Sequence, residues 1–223
     1  MLNSNISKKA EINRNLIFVN LSNNWLSCIK PSLKVSSYVK YQNILNKYVL
    51  PYFAERRIDE IKRSEIISFI ETLLAEGGSK KTGLSQSTVN CVVSVLKGIY
   101  LYAEQCGFDC TVPNLNNLTI KKSQRKLRVL STGEQLKLSK YLSEKHSPKD
   151  AGILLCLYTG IRIGEICALK WEDISFEDNC LIISKTIQRL QVTNADFKTS
   201  VITTSPKSVS SERMVPVPDN MMR

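Results

Sequence analysis

The 223-residue chain contains one histidine, seven scattered cysteines and no long apolar run. Histidine is the side chain most often used for metal ligation and for proton transfer near neutral pH, so a single copy, His146, argues against both roles. Cys106 and Cys110 form the one close cysteine pair, and no second pair or neighbouring histidine completes a zinc set. No apolar stretch approaches the roughly 20 residues of a membrane helix, and the polar first residues lack a signal core. We expect a cytoplasmic protein with no metal site and no membrane partner.

Positive charge is abundant and unevenly distributed. The net charge is +11, in a chain whose 43% hydrophobic and 23% charged residues are ordinary for a globular protein. Residues 1–130 hold 19 Lys/Arg against 9 Asp/Glu, whereas residues 131–223 hold 12 against 11. A basic first half indicates a polyanionic partner, most often nucleic acid. The alternative is that the charge only aids solubility.

Apolar residues recur at three- and four-residue spacing through residues 16–112, after a polar N-terminal segment, 1–15, that we expect to be flexible. Pro31 and Pro51 are expected to end the first two helices, and Ser64 to cap the third. Four helices in about 90 residues form a helical bundle with roughly antiparallel neighbours. The predicted helices cover about 17–29, 38–49, 65–74 and 85–106.

Residues 113–126 show neither a helical nor a strand period and are predicted to be a basic linker. Lysines and arginines of such a linker can clasp a phosphate backbone, because each docked charge releases counterions. The alternative is a solvated connector. The candidate DNA contacts, in this linker and in the Gly-rich loop 77–83, are Lys80, Lys81, Lys121, Lys122, Arg125 and Lys126.

The second half, residues 127–223, combines helical and strand patterns. Ser131 and Glu134 have the spacing of a capping box, and Pro148 is expected to begin the next helix. Beyond Trp171 the apolar period changes to two, which predicts strands, and Pro216 suits an edge strand. The predicted strands cover 181–188, 199–203 and 213–217.

One arginine, Arg162, lies in surroundings that otherwise indicate a core. An apolar helix is expected to end at Gly160, and a second short helix is expected to follow Arg162. A guanidinium cannot lose its proton and is costly to bury without an anion. Arg162 therefore either pairs with Glu165, three residues on, or awaits an external anion.

These patterns resemble the tyrosine site-specific recombinases, in particular integrases of phages and other mobile elements. The stretch YTGIRIGE, residues 158–165, followed by LKWEDI, residues 169–174, is similar to the family's first arginine box. Ser205 to Ser208 with Arg213, Val215 and Pro216 is similar to the β-hairpin that carries its active-site lysine. Residues 31–74 and 85–108 resemble its core-DNA-binding helices.

The resemblance implies a multidomain fold: an all-α, SAM-like core-DNA-binding domain followed by a mixed α/β catalytic domain with a three-stranded antiparallel sheet, together forming a C-shaped clamp around DNA. It also implies a reaction in which a tyrosine attacks a DNA phosphodiester, forming a 3′-phosphotyrosyl link, with no metal and no nucleotide cofactor. Intact family members assemble as tetramers on double-stranded DNA, which we do not expect of this chain alone.

The resemblance also implies roles for three residues. Arg162 would contact the non-bridging oxygens of the scissile phosphate, whose charge builds in the transition state. Lys207 would protonate the leaving 5′-oxygen as general acid. Glu165 would support the arginine rather than react.

The family's His-x-x-Arg box, its further His or Trp and its nucleophilic tyrosine lie downstream of the lysine hairpin, and none occurs within these 223 residues. All eight tyrosines precede Arg162 at positions typical of helix or core, so we assign none as nucleophile. We therefore expect a truncated recombinase that binds DNA without cleaving it. The alternative is a non-catalytic DNA-binding module or a competitor of the intact integrase. An unrelated helical regulator would leave the Lys207 hairpin unexplained.

Overall fold

The computed structural model describes residues 16–78, 81–108, 115, 118, 127–145, 147–191, 199–205 and 212–221. The chain divides into two units, Met1–Arg125 and Lys126–Arg223. In the described part of the chain, no helix is both long enough and apolar enough to cross a bilayer.

The first unit is a helical bundle, as predicted. Apolar side chains from all its long helices form one core, in which Phe18, Phe53 and Tyr100 are fully buried. Phe53 packs edge-on against Phe69 with ring centroids 5.0 Å apart, which joins two of the helices. The helices in its described residues are α1 (Phe18–Ile29), α2 (Val35–Ile44), α3 (Leu50–Phe53), α4 (Arg63–Glu76) and α5 (Gln86–Gln105).

The second helix continues past the proline that was predicted to end it. Residues Leu45–Val49 form a π-helical turn that joins α2 to α3, and the Leu50 N–H donates to the carbonyl oxygen of Leu45. Pro51 then lies in the first turn of α3, where a missing N–H costs little. The wider π turn therefore carries the helix past a residue that would break a regular α-helix.

The start of α4 also differs from the prediction. The N-cap is Lys62, not Ser64, and the capping side chain is Glu65, whose Oε2 accepts from the Lys62 backbone N–H at 2.8 Å. The Glu65 carboxylate also pairs with Arg56, with 2.6 Å between Nη1 and Oε1. An acid in the first turn can cap from inside the helix, and this makes a serine cap unnecessary.

The second unit begins with two helices whose ends were predicted. Glu134 and Ser131 form the capping box of α6 (Thr132–Ser143), and Ser147 caps α7 (Pro148–Thr159). Gly160 follows α7 in the left-handed conformation, with φ +66°. A four-residue helix, α8 (Ile163–Ile166), comes next.

The described residues of this unit contain five strands, which form two separate antiparallel sheets. The strands are β1 (Ile174–Ser175), β2 (Cys180–Ile183), β3 (Thr186–Gln191), β4 (Thr199–Thr204) and β5 (Arg213–Pro216). The three-stranded sheet has the order β1-β2-β5, which places β5 with Pro216 at an edge as expected, and β3 pairs with β4. The core of the unit lies under the three-stranded sheet and includes Ile161, Leu181 and Val215.

A three-stranded antiparallel sheet was predicted and is present, but its strands differ from those expected. The segment 181–188 was predicted to be one strand and is instead divided between β2 and β3, which belong to different sheets. The break falls at Ser184 and Lys185, where the Lys185 ammonium pairs with Asp173, with 3.5 Å between Nζ and Oδ1. A period of two continues across such a break, so the sequence alone does not locate it.

Candidate functional site

Arg162 is held at the surface by the backbone around it. The left-handed Gly160 turns the chain out of α7, Ile161 is buried in the core, and Arg162 is the N-cap of α8 with φ −76° and ψ 150°. Its side chain is 75% exposed. A buried residue on one side and a helix start on the other therefore fix the backbone from which an exposed guanidinium extends.

Glu165 lies beneath this arginine and is almost completely buried, with a side chain 6% exposed. Its Oε2 accepts from the Arg162 backbone N–H at 2.9 Å and from Arg213 Nη2 at 2.9 Å. Its Oε1 accepts from Arg162 Nη1 at 3.0 Å and from Arg213 Nη1 at 3.2 Å. Both carboxylate oxygens are thus doubly hydrogen-bonded, which is the condition under which a buried charge is stable.

These contacts determine the charge state of the site. The hydrogen bonds from Arg213, together with those from the backbone and side chain of Arg162, lower the pKa of Glu165 to about 2, although burial alone would raise it. The same carboxylate raises the pKa of Arg213. Glu165 is therefore ionised at neutral pH, and two cations share one anion.

Arg162 consequently satisfies both alternatives that the sequence left open. It pairs with Glu165, and most of its side chain still faces solvent. The second arginine of the site, Arg213, was not predicted from the sequence as a site residue. Arg213 and Val215 lie on the same face of β5, with Val215 buried, so the period of two was the signal that Arg213 points towards the interior.

Several predicted site residues lie outside the residues that the structure describes. Lys81 is described: it is exposed and has a positive φ of 50°. Beyond the described residues are Lys80, Lys121, Lys122, Arg125, Lys126, His146 and Lys207, together with most of the predicted linker. Within the described residues, β4 pairs with β3 and β5 pairs with β2, so the strands that precede and follow Lys207 lie in different sheets.

Other lysines give the first unit a basic surface that the motifs did not identify. Lys30 lies over the ring of Tyr38, 5.3 Å from its centroid, and Lys40 lies over Tyr41 at 5.4 Å. Both lysines are exposed. An ammonium group that lies over an aromatic ring is attracted to the face of the ring, and its other side can remain open to an anionic ligand.

Gly164 sets the distance between α8 and β3. A Cβ at this position would lie 2.6 Å from Thr186 Oγ1 and 2.8 Å from the carbonyl oxygen of Ile187. The second contact is with backbone, which cannot rotate away. The absence of a side chain at residue 164 therefore lets the helix that carries Glu165 lie directly against the two-stranded sheet.

We expect Gly164→Ala to lower the free energy of unfolding by about 1–3 kcal/mol, because the added methyl group forces α8 away from β3. Urea unfolding followed by circular dichroism measures the change. Gly133→Ala is the matched control: it lies in α6 with no atom near its Cβ position, so the same substitution should be neutral or stabilise by up to about 1 kcal/mol. Equal effects of the two substitutions would contradict the packing argument.

Within the described ranges, no three His, Cys, Asp or Glu side chains lie close enough together to hold a metal ion. What the geometry offers is an exposed, always-charged guanidinium with planar donors, anchored on a buried carboxylate. Such a group suits recognition of a phosphate or carboxylate, which accepts two hydrogen bonds in one plane.

Comparisons with known proteins agree with this geometry. The model of the phage integrase N-terminal SAM-like domain matches residues 17–74, and that of the phage integrase family matches residues 128–223. A tyrosine recombinase XerC-like protein of Caldanaerobacter subterraneus subsp. tengcongensis is 28% identical, in a match that covers 91% of this chain and 52% of that protein. The ICEBs1 integrase of Bacillus subtilis is 24% identical over 97% of this chain and 55% of its own length.

The fold is also shared with solved structures. The integrase of the transposon Tn1549, in a complex with a circular intermediate DNA, superposes with a TM-score of 0.69 at 19% identity, covering 91% of this chain and 62% of that one. A lambda integrase tetramer bound to a Holliday junction has a TM-score of 0.59 at 17% identity, covering 83% of this chain and 49% of that one. This chain spans about half the length of the curated relatives named above. With both units matched in order, and with the first arginine box folded around a buried carboxylate, the chain belongs to the phage integrase family of tyrosine recombinases.

Proposed function

We propose that this chain binds double-stranded DNA as a component of site-specific recombination and integration of a mobile element, and that the 223-residue polypeptide does so without cleaving the DNA. The observation that carries the proposal is the Arg162–Glu165 pair: a guanidinium that is 75% exposed although its partner carboxylate is 6% exposed. A phosphodiester is the anion that such a group would contact in a DNA-binding protein.

Arg162 is proposed to donate to the non-bridging oxygens of a DNA phosphate. Its planar donors match two oxygens of one phosphate. Glu165 orients it and does not react. Lys207 is proposed to act as the general acid on the leaving 5′-oxygen when a complete active site is assembled.

The first unit is proposed to supply most of the affinity. Residues 1–125 hold 17 Lys/Arg against 9 Asp/Glu, an excess of positive charge that favours non-specific attraction to the duplex. The exposed lysines held by tyrosines, Lys30 and Lys40, add described positions to Lys81 and to the linker cations. The Tn1549 integrase was solved with DNA, and its shared fold supports the same partner here.

The proposal that the polypeptide does not cleave rests on its tyrosines. Tyr100 is fully buried in the core of the first unit. Tyr158, the tyrosine nearest to Arg162 in sequence, lies with its hydroxyl 2.7 Å from Ser139 Oγ, between α6 and α7. The family resemblance places the nucleophilic tyrosine after Lys207 in sequence, whereas Tyr100 and Tyr158 both precede it. Without a tyrosine attack, the contacts to the phosphate do not produce a covalent intermediate.

Two measurements on the full 223-residue chain test this proposal. Fluorescence anisotropy with labelled duplexes should show log K falling linearly with log salt, with a slope of about −0.9 per phosphate contact. A flat salt dependence would rule out binding through phosphate contacts, and the absence of an anisotropy change would rule out binding altogether. Incubation with a pool of nicked duplexes, followed by denaturing electrophoresis, should show no protein–DNA adduct. An adduct that disappears in a Tyr→Phe variant would overturn the non-cleaving part and identify the nucleophile.

A further inference from the structure

We propose that Arg213 is a positioning residue: it neutralises the buried carboxylate of Glu165 and thereby leaves the guanidinium of Arg162 available to an incoming phosphate. The role given to Arg162 rests on the proposed function above, whereas the charge arrangement itself does not.

The two arginines use the shared carboxylate differently. Arg213 binds it through both Nη atoms, at 3.2 Å to Oε1 and 2.9 Å to Oε2, in the bidentate geometry that guanidinium and carboxylate prefer. The side chain of Arg162 reaches the same carboxylate through Nη1, at 3.0 Å to Oε1. The exposed fractions follow this difference, with 32% for the Arg213 side chain and 75% for Arg162. Arg213 is the inner counterion and Arg162 the outer one.

The charges of Glu165, Arg213 and Arg162 explain why Arg162 remains available to an external anion. A carboxylate that is 6% exposed needs a cation close to it, and one cation is sufficient to neutralise it. Because Arg213 supplies that cation, the positive charge of Arg162 is not required by Glu165. The site as a whole carries one excess positive charge, and that charge is on the exposed guanidinium.

Without Arg213, Arg162 would become the inner counterion of Glu165. Glu165 would then have Arg162 as its remaining cation among the three residues, and both carboxylate oxygens would be open to it. The flexible side chain of Arg162 would be drawn towards the carboxylate and would offer fewer donors to solvent. A lysine in place of Arg213 keeps the charge but lacks the planar fork, so it should restore the arrangement only in part.

The backbone fixes Arg213 for this purpose. It is the first residue of β5 and lies opposite Ile183 of β2 in the sheet register. Glu165 is fixed separately, in α8, with Oε2 on the backbone N–H of Arg162. Two independently held elements thus meet at the carboxylate, and the flexible member of the set is the side chain of Arg162.

The reactivity of Arg162 towards phenylglyoxal, which modifies accessible guanidinium groups, tests the proposal. The rate of modification at each arginine can be followed by mass spectrometry of chymotryptic peptides, with the exposed Arg189 of the same unit as internal reference. In Arg213→Met, the rate at Arg162 relative to Arg189 should fall roughly tenfold, as expected for one new hydrogen bond to a buried charge. The relative rate at Arg162 in Arg213→Lys should lie between the rate in Arg213→Met and the rate in the original chain.

The double variant Arg213→Met, Glu165→Gln supplies the matched control. The double variant has no carboxylate at residue 165 to draw Arg162 inwards. The rate of modification at Arg162 relative to Arg189 should therefore return to its value in the original chain. If Arg213 only stabilised the fold, the additional Glu165→Gln substitution would not restore the reactivity of Arg162. An unchanged relative rate in Arg213→Met would overturn the proposal. If Arg213→Met unfolds the unit, both arginines react faster together, and the Arg213→Lys variant then carries the same test.

This experiment contains no DNA, so its outcome is independent of the proposed function. A second series with a saturating 30-bp duplex separates the two. If the duplex lowers the rate of phenylglyoxal modification at Arg162 in the original chain, the result supports a contact between Arg162 and a phosphate. If the Arg213 effect is present but the duplex gives no protection, the positioning role stands and the proposed phosphate contact of Arg162 fails.

Discussion

Replacing Lys121, Lys122, Arg125 and Lys126 together with glutamine should weaken duplex binding roughly 10²- to 10³-fold at 0.1 M salt. If each cation docks on one phosphate, the slope of log K against log salt should become shallower by about 3.6, at 0.9 per contact. Phosphate contacts position a protein without specifying sequence, so the loss should be the same on unrelated duplexes. Fluorescence anisotropy on two duplexes between 0.05 and 0.2 M salt measures both quantities.

A matched control removes the same number of charges elsewhere. Lys137, Lys140, Lys145 and Lys149 lie exposed on or beside α6 and α7, in the half of the chain whose charges nearly cancel. Their fourfold replacement should change the salt slope much less. Equal changes in the two variants would show that net charge, rather than the basic linker, drives binding. Arg162→Ala should also change this non-specific affinity little, since it removes one contact at most.

Helix ends were the part of the fold that the sequence predicted best. A serine that caps a helix and a glycine that ends one act within three or four residues, so their effect is visible in a short stretch of chain. Ser131 and Gly160 both occupy the predicted positions. At Pro51 the tertiary packing of the bundle outweighed the local signal, because burying Val49 and Phe53 keeps the segment helical.

Strand pairing was less predictable, because the partner of a strand lies far away in sequence. The apolar alternation through residues 181–188 is real, yet β2 pairs with β5 and β3 pairs with β4. The candidate site shows the same limit. Arg162 and Glu165 are three residues apart, so their pairing was one of the two alternatives that the sequence offered, whereas Arg213 is 48 residues from Glu165 and reaches it only through the fold.

Replacing Glu165 with glutamine should lower the free energy of unfolding by about 2 kcal/mol at pH 7. The substitution keeps the size of the side chain but leaves Arg213 and Arg162 facing a neutral amide. Removing one partner of a buried ion pair typically costs about 3–5 kcal/mol, and the exposure of both arginines places this site below that range. Glu172→Gln is the control, because its carboxylate is 66% exposed and pairs with Lys170 and Lys185 at the surface, where about 0.5 kcal/mol is expected.

The pH dependence makes this prediction specific to the ionised carboxylate. The pKa of Glu165 is about 2 in the folded chain, against an ordinary value of 4.5, so the group binds protons more weakly when folded. Its stabilisation is therefore complete above about pH 4.5 and is lost as the pH falls towards 2. Urea unfolding at pH 7, 4.5 and 3 should show the difference between the original chain and Glu165→Gln unchanged between the first two and smaller at the third. A difference that stays constant down to pH 3 would mean that the shape of the side chain, and not its charge, holds the two arginines.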